Sequence, residues 1–201
     1  MDLYYDSLAG EIARLIDAAT GHGLVLFTSY AAMSAVKERL KALELLYPLF
    51  TMDSSNPNHT VKQFKEQPGA VLLATGAAWE GMDFPGDCVS LLVIPKLPFA
   101  FPDELREKQK EHYDSLHDFI QAIIIPEMQI KLRQGFGRAI RTEMDTCVIA
   151  VLDDRAGNHG RYRESMLEAL PEMTVTSELA DVTQFMLDKK PDRYFKEPEQ
   201  G

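Results

Sequence analysis

The stretch A-V-L-L-A-T-G-A-A-W-E-G-M-D-F-P-G, residues 70–86, joins a short apolar run to a loop punctuated by glycines. The run from Ala70 to Ala74 is continuously apolar, which is typical of a strand buried on both faces. Leu24 to Phe27, Val89 to Ile94 and Cys147 to Leu152 have the same character. Between these runs, apolar residues recur at helical spacing, as in Leu8, Ile12, Leu15, Ile16 and Ala19. The sequence therefore predicts an α/β fold with an open, mainly parallel sheet and helices on both faces.

The remaining segments fit one domain over residues 1–201. Further helices are predicted at residues 33–43, from His59 to Gln67 and from Glu127 to Arg141. After Arg161 we expect two helices around an extended piece near residues 174–176. Residues 96–126 depart from the alternation of strands and helices, and we expect a helical insertion there.

Composition excludes several classes of protein. Apolar residues make up 45% of the chain, which allows a sizeable core. No apolar run is long enough to span a bilayer, and residues 1–6 lack the basic start and apolar run of a signal peptide, so we expect a cytoplasmic protein without a membrane partner. Two isolated cysteines, Cys88 and Cys147, cannot ligate an iron–sulfur cluster or close a zinc site. We expect both to be small buried side chains in strands.

The charge distribution argues against strong autonomous binding to nucleic acid. The chain has 21 basic and 31 acidic residues and a formal charge of −10, whereas phosphate contacts need Lys and Arg. Binding is local, however, and the segment from Pro126 to Arg141 is basic, with Lys131, Arg133, Arg138 and Arg141 against the single acid Glu127. A nucleic-acid site shared with another domain is therefore not excluded.

The basic segment ends in Q-G-F-G-R-A-I-R, residues 134–141. On a helix, Gln134, Arg138 and Arg141 share a sector of about 60°, while Met128, Leu132, Phe136 and Ala139 face the core. Planar guanidiniums are suited to phosphate oxygens. Two glycines each cost a helix about 1 kcal/mol against Ala, which suggests a close approach of another backbone or a ligand. A solvated basic face that happens to carry two glycines is the open alternative.

The loop that follows the strand at residues 70–74 is the second candidate site. In open α/β sheets, ligands bind beyond the carboxyl ends of the strands, where a glycine-rich loop brings backbone N–H groups close to a phosphate. Glu80 and Asp83 are placed to pair with an arginine or with a ribose hydroxyl. A plain connection, with Gly86 serving a turn, is the alternative.

Taken together, these segments resemble the C-terminal motor domain of superfamily 2 helicases of the DinG/XPD type. Residues 134–141 resemble motif VI, residues 78–86 resemble motif V and residues 23–30 resemble motif IV. Lys96 to Phe99, Leu152 to Arg155 and Leu170-Pro171 also follow the DinG pattern, in the same order over nearly the whole chain. The chain departs from the pattern at Ala77-Ala78, where the family often has Ser-Phe, and at Thr146, where it often has a glycine.

The resemblance implies a RecA-like fold that lacks its own phosphate loop, because the chain has no G-x-x-x-x-G-K-[ST] motif and no Walker B cluster. ATP and Mg²⁺ would be bound mainly by an N-terminal RecA-like domain of the same full-length protein, so we expect this chain to be one half of a longer helicase. It would be inactive alone, and it would act as a monomer on single-stranded DNA in the bacterial cytoplasm or nucleoid.

The resemblance also assigns roles to residues. Arg141 is the expected arginine finger, Arg138 the second choice, and Gln134 would position the nucleotide or the attacking water. Gly81 and Asp83 would lie at the nucleotide, with Asp83 orienting Arg138. The expected contacts to nucleic acid come from Thr28, Ser29, Tyr30, Thr75 and Trp79. No residue of this chain is expected to ligate a metal.

Two other classes of protein remain open on the sequence. One is a RecA-like module that binds nucleic acid or a partner without motor activity, against which the arginines at both motif VI positions weigh. The other is a small-molecule α/β enzyme such as a nucleotide-dependent transferase, which the missing phosphate loop disfavours.

Overall fold

The computed structural model describes residues 2–52, 56–79, 81–82, 84, 88–140 and 145–195. The strands are β1 (Gly23–Phe27), β2 (Leu49–Thr51), β3 (Val71–Thr75), β4 (Leu91–Ile94) and β5 (Val148–Val151). The helices are α1 (Asp2–Ala18), α2 (Tyr30–Ala42), α3 (Pro57–Glu66), α4 (Glu104–Lys110), α5 (Leu116–Phe119), α6 (Ile125–Ala139), α7 (Arg163–Glu168) and α8 (Leu179–Lys189). Short 3-10 turns cover Gly76–Trp79, Asp154–Ala156 and Asp192–Phe195, and a π-helical turn, Ile120–Ile124, joins α5 to α6.

The five strands form one sheet in the order β2-β3-β1-β4-β5, and every neighbouring pair is parallel. Successive residues of a strand point to opposite faces. In β1, Leu24 and Leu26 therefore pack against α3, α6 and α7, whereas Val25 and Phe27 pack against α1, α2 and α8. Because both faces are covered, the central strands are apolar at every position. The predicted parallel sheet with helices on both faces is confirmed.

The sequence predictions of individual elements differ from the structure mainly at the ends. The helix predicted over His59 to Gln67 spans Pro57–Glu66. The helix predicted from Glu127 to Arg141 begins at Ile125, because Pro126 is compatible with the first turn of a helix, and it ends at Ala139, because Ile140 is extended. The sequence does not predict β2, which is a half-buried edge strand too short to show a pattern. The helices α4 and α5 lie within residues 96–126, where the sequence predicts an insertion.

The expectation for the two cysteines is wrong in part. Neither Cys88 nor Cys147 forms a disulfide, both precede β4 and β5 instead of lying within them, and each residue is only half-buried. The thiol of Cys147 is nevertheless desolvated, and this burial raises its pKa to about 12, so it is not a reactive thiolate.

The C-terminal segment closes the edge of the sheet at which the strands begin. Tyr194 is 7% exposed, stacks on His22 with ring centroids 4.2 Å apart, and donates from its hydroxyl to the carbonyl of Ala19 at 2.9 Å. The buried Lys190 donates from Nζ to the carbonyl of Thr146 at 2.6 Å. These contacts join the end of α8 to the residues that precede β1 and β5.

Candidate functional site at the carboxyl edge of the sheet

The carboxyl ends of β1 and β3 lie side by side. Phe27 pairs with Thr75 in the parallel register, so the residues that follow them leave the sheet at the same edge. The chain after β1 enters α2 on one face, whereas the chain after β3 enters the turn Gly76–Trp79 on the other face. Adjacent strands whose connections diverge in this way leave a crevice between them, which is where ligands bind in open α/β sheets. Thr75 at the end of β3 and Ser29 just after β1 therefore lie near the carboxyl ends of neighbouring strands, as the sequence predicts.

Ser29 forms the N-cap of α2. Its Oγ accepts from the backbone N–H of Ala32 at 3.2 Å, and its extended backbone ends the strand before the helix begins. The hydroxyl hydrogen of Ser29 can still donate to a ligand, because the cap uses only a lone pair. Thr28 is half-buried beside it, and Tyr30 is 55% exposed on the first turn of the helix. These three residues therefore present polar groups at the crevice.

On the other side of the crevice, Thr75 is 4% exposed at the end of β3. Trp79, three residues after Gly76, is 1% exposed, and its Nε1 donates to the carbonyl of Phe27 at 3.0 Å. An indole in this position links the loop after β3 to the end of β1. A ring with both faces buried cannot stack on a base, so the structure gives Trp79 a packing role.

The packing of α6 explains one of the two glycines in the basic segment. A Cβ on Gly135 would lie 2.8 Å from Cζ3 of Trp79 and 3.3 Å from Cδ1 of Leu26, so only glycine lets α6 approach this closely. A Cβ on Gly137 would meet nothing within 4 Å. Gly135 occupies the core-facing position, whereas Phe136, which the sequence places in the core, is only half-buried. The basic face of α6 is thereby turned slightly from the predicted orientation.

Arg138 joins α6 to the loop that follows β3. Its Nη1 donates to the carbonyl of Met82 at 2.8 Å, and its Nε donates to the carbonyl of Gln134 at 3.1 Å. Gln134 and Gly81 are exposed beside this bond. The structure thus brings Gln134, Arg138 and Gly81 to one surface. Asp83, Glu80 and Arg141 lie outside the described residues.

A second group of polar contacts lies beyond β4 and β5. Asp153 is 8% exposed and accepts from the backbone N–H of Leu97 at 2.9 Å, while Arg155 donates from Nε and Nη2 to its two oxygens at 2.9 and 2.7 Å. Burial alone would raise the pKa of Asp153, but these bonds outweigh it, and the pKa lies below its usual value. The sequence assigns no role to Leu152 to Arg155, and the D-x-R spacing of Asp153 and Arg155 is the signal that points to this pair.

The described residues contain no arrangement that fits a metal. Within those ranges, no group of three or more His, Cys, Asp or Glu side chains is placed to hold an ion. The oxygen ligands that Mg²⁺ needs are therefore not assembled by this part of the chain. In the same ranges, no helix is both long and apolar enough to cross a bilayer.

An all-parallel sheet covered on both faces, with a helix that presents arginine and glutamine beside the loop after β3, is consistent with a RecA-like α/β domain. Residues 12–173 match the family model for the helicase C-terminal domain, and the chain belongs to that family. The resemblance to DinG/XPD-type helicases is confirmed.

Individual relatives agree with this assignment. The chain is 36% identical to the ATP-dependent DNA helicase YoaA of Haemophilus influenzae over 92% of its own length and 29% of the relative. It is 35% identical to the 3'-5' exonuclease DinG of Bacillus subtilis over 79% of its length and 17% of the relative. The solved structure named XPD_APO superposes with a TM-score of 0.67 at 18% identity, over 87% of this chain and 36% of that one, which shows the fold. The chain thus spans less than a third of the length of these curated relatives.

Proposed function

We propose that this chain is the C-terminal motor half of an ATP-dependent DNA helicase, which completes an ATP site between two RecA-like domains and contacts single-stranded DNA. The observation that carries the proposal is the 2.8 Å bond from Arg138 to the carbonyl of Met82, because it fixes the basic face of α6 against the glycine-rich loop after β3. The names of relatives such as the DNA helicase YoaA support the same activity.

In this proposal the N-terminal domain holds the phosphates of ATP and Mg²⁺, since this chain has no phosphate loop and its described residues form no Mg²⁺ site. The chain supplies positive charge at the γ-phosphoryl group. Arg141 acts as the arginine finger and Arg138 as its neighbour, held by the backbone of the loop. Gln134, exposed on the same helix, positions the nucleotide or the attacking water, and Gly81 and Asp83 lie at the nucleotide.

The nucleic-acid contacts lie at the carboxyl edge of the sheet. Thr28, Ser29 and Tyr30 at the start of α2, together with Thr75 at the end of β3, offer hydroxyl and backbone N–H donors to phosphates of single-stranded DNA. Trp79 is left out of these contacts because its ring is buried and its indole N–H already donates to the carbonyl of Phe27. Trp79 instead holds the loop that follows β3, next to the residues that make these contacts.

The test uses this chain reunited with its N-terminal domain. Arg141→Ala should lower ATP turnover by roughly 10³-fold, the scale known for arginine fingers. Nucleotide affinity should fall much less, because the guanidinium matters most where charge develops. Arg141→Lys should also lower ATP turnover strongly, since an ammonium does not reproduce bidentate contact with phosphoryl oxygens. Single-turnover kinetics and nucleotide binding separate these two effects.

Arg133→Ala is the matched control. Arg133 is exposed on α6, about 100° around the helix from Gln134. Equal and modest losses in the two variants would mean that α6 is only a basic surface. A reunited protein that binds single-stranded DNA but hydrolyses no ATP would instead favour the RecA-like binding module without motor activity.

A further inference from the structure

Two segments of the chain have no role in the function proposed above, although they follow the same edge of the sheet. Lys96 to Phe99 leaves β4, and Asp153 to Arg155 leaves β5. In the sheet order, β4 lies beside β1, and β5 lies next to β4. The two segments therefore continue the edge that carries Ser29, and neighbouring strands place β5 only roughly 10 Å from β1.

These segments, together with Arg161 and Tyr162 shortly after the second one, place three cations over aromatic rings. Nζ of Lys96 lies 5.0 Å from the ring centroid of Tyr4. Cζ of Arg155 lies 4.9 Å from that of Phe99, and Cζ of Arg161 lies 4.7 Å from that of Tyr162. The rings of Phe99 and Tyr162 are in contact, with centroids 4.8 Å apart. We call Tyr4, Lys96, Phe99, Arg155, Arg161 and Tyr162 the edge cluster.

Hydrogen bonds hold the backbone of the edge cluster in place, and its cations are accessible to solvent. Asp153 clamps Arg155 through both oxygens and is itself held by the backbone N–H of Leu97. Lys96 and Arg161 are exposed, and the Arg155 side chain is 39% exposed. Cations held over rings lose less freedom when they bind an anion, which favours binding.

The local charge also distinguishes this surface. In residues 96–99 and 153–162 the basic residues Lys96, Arg155 and Arg161 outnumber the two acids, Asp153 and Asp154, although the whole chain has a formal charge of −10. Positive charge interleaved with aromatic rings is the surface that single-stranded nucleic acid binds, through its phosphates and bases. Asp153 already compensates Arg155, so Lys96 and Arg161 are the cations available to phosphates.

We propose that the edge cluster is a second nucleic-acid contact, at which Lys96 and Arg161 bind backbone phosphates of the strand that also crosses Thr28 and Thr75. The proposal rests on the proposed function, because it extends the same single-stranded path from β3 and β1 to β4 and β5. The rings of Tyr4 and Tyr162 orient the two cations, Phe99 packs against Tyr162, and Asp153 joins the loops that leave β4 and β5.

The test is the salt dependence of binding to fluorescein-labelled dT20, measured by anisotropy with the chain reunited with its N-terminal domain. Each phosphate contact on a single strand contributes about −0.7 to the slope of log K against log [salt]. Lys96→Ala combined with Arg161→Ala should therefore make the slope shallower by about 1.4. Affinity in 50 mM salt should fall at least 5-fold. Both side chains are exposed, and thermal unfolding checks that the fold is unchanged.

Lys189→Ala is the control, because Lys189 is exposed at the end of α8, beside the residue that contacts Thr146 at the opposite edge of the sheet. It should leave the slope unchanged. Thr28→Val combined with Thr75→Val tests the proposed contacts at β1 and β3. If that pair weakens binding while the Lys96 and Arg161 changes leave slope and affinity unaltered, the edge cluster is not a contact but the proposed function stands. If neither pair weakens binding, both proposals fall.

Discussion

Gly135 is the residue at which the approach of α6 to the sheet is decided. Its absent side chain leaves room for the ring of Trp79, whose indole is buried and hydrogen-bonded to the carbonyl of Phe27. A ring fixed in this way cannot move aside as the end of a flexible side chain would. The orientation of Arg138 and Gln134 therefore depends on a position that carries no chemistry of its own.

Gly135→Ala should destabilise the protein by about 1–3 kcal/mol through overpacking, which exceeds the gain of about 1 kcal/mol in helix propensity. Gly137→Ala, two residues further along the same helix, meets no neighbour and should be neutral or stabilising by up to about 1 kcal/mol. Urea unfolding of both variants measures the difference. Equal stabilisation by the two changes would contradict the close packing of α6 on Trp79.

At the scale of elements, Asp153 joins the loops that leave β4 and β5. It accepts from Leu97 in one loop and from Arg155 in the other. An asparagine would present an amide N–H₂ to one of these donors, which leaves a donor unpaired in a buried site. The position of the whole edge cluster therefore depends on one carboxylate.

Asp153→Asn should cost about 2 kcal/mol at pH 7, a value kept low because Arg155 is partly exposed and screened by water. The pKa of Asp153 is lower in the folded protein than its ordinary value of about 3.9. Its contribution is therefore fully present above about pH 5, declines as the pH falls past the ordinary pKa, and is lost as the pH falls through the lowered pKa of the folded protein. The difference between wild type and Asp153→Asn in urea unfolding should shrink between pH 7 and pH 3. If the difference stays constant between pH 7 and pH 3, the charge of Asp153 does not contribute to the stability of the protein.

At the scale of the whole molecule, the described residues present two surfaces that carry polar and charged groups. The basic face of α6 carries Gln134 and Arg138, and the carboxyl edge carries Ser29 and Thr75. Neither surface includes a phosphate loop, and the sequence contains none. A complete ATP site would need groups from a second domain.

The isolated chain should therefore have no measurable ATPase activity, with or without single-stranded DNA. A coupled assay at high enzyme concentration measures this, and addition of the N-terminal domain should restore turnover. The purified chain alone could instead hydrolyse ATP, with stimulation by DNA and at the same rate in preparations of different purity. This result would contradict the assignment of this chain as half of a motor.

Much of the fold was accessible from the sequence because it depends on local patterns. The continuous apolar runs at β1, β3 and β4 show that both faces of the sheet are covered, and helical periodicity locates α1 and α2. The helicase resemblance rests on linear motifs such as residues 134–141, and the family match confirms it. The edge strand β2 is too short and too exposed on one side to give such a signal.

Only the tertiary structure decided which residues far apart in the sequence are in contact. The periodicity of α6 placed Phe136 in the core, but the bulk of Trp79 is accommodated at Gly135 instead. The sequence predicts that Trp79 contacts nucleic acid, whereas the structure buries its ring and bonds its indole to the carbonyl of Phe27. Likewise, the bond from Arg138 to Met82 spans 56 residues, and it exists because the sheet brings β3 and α6 together. A local pattern determines which face of an element is apolar, whereas the partner of each side chain depends on how the elements pack.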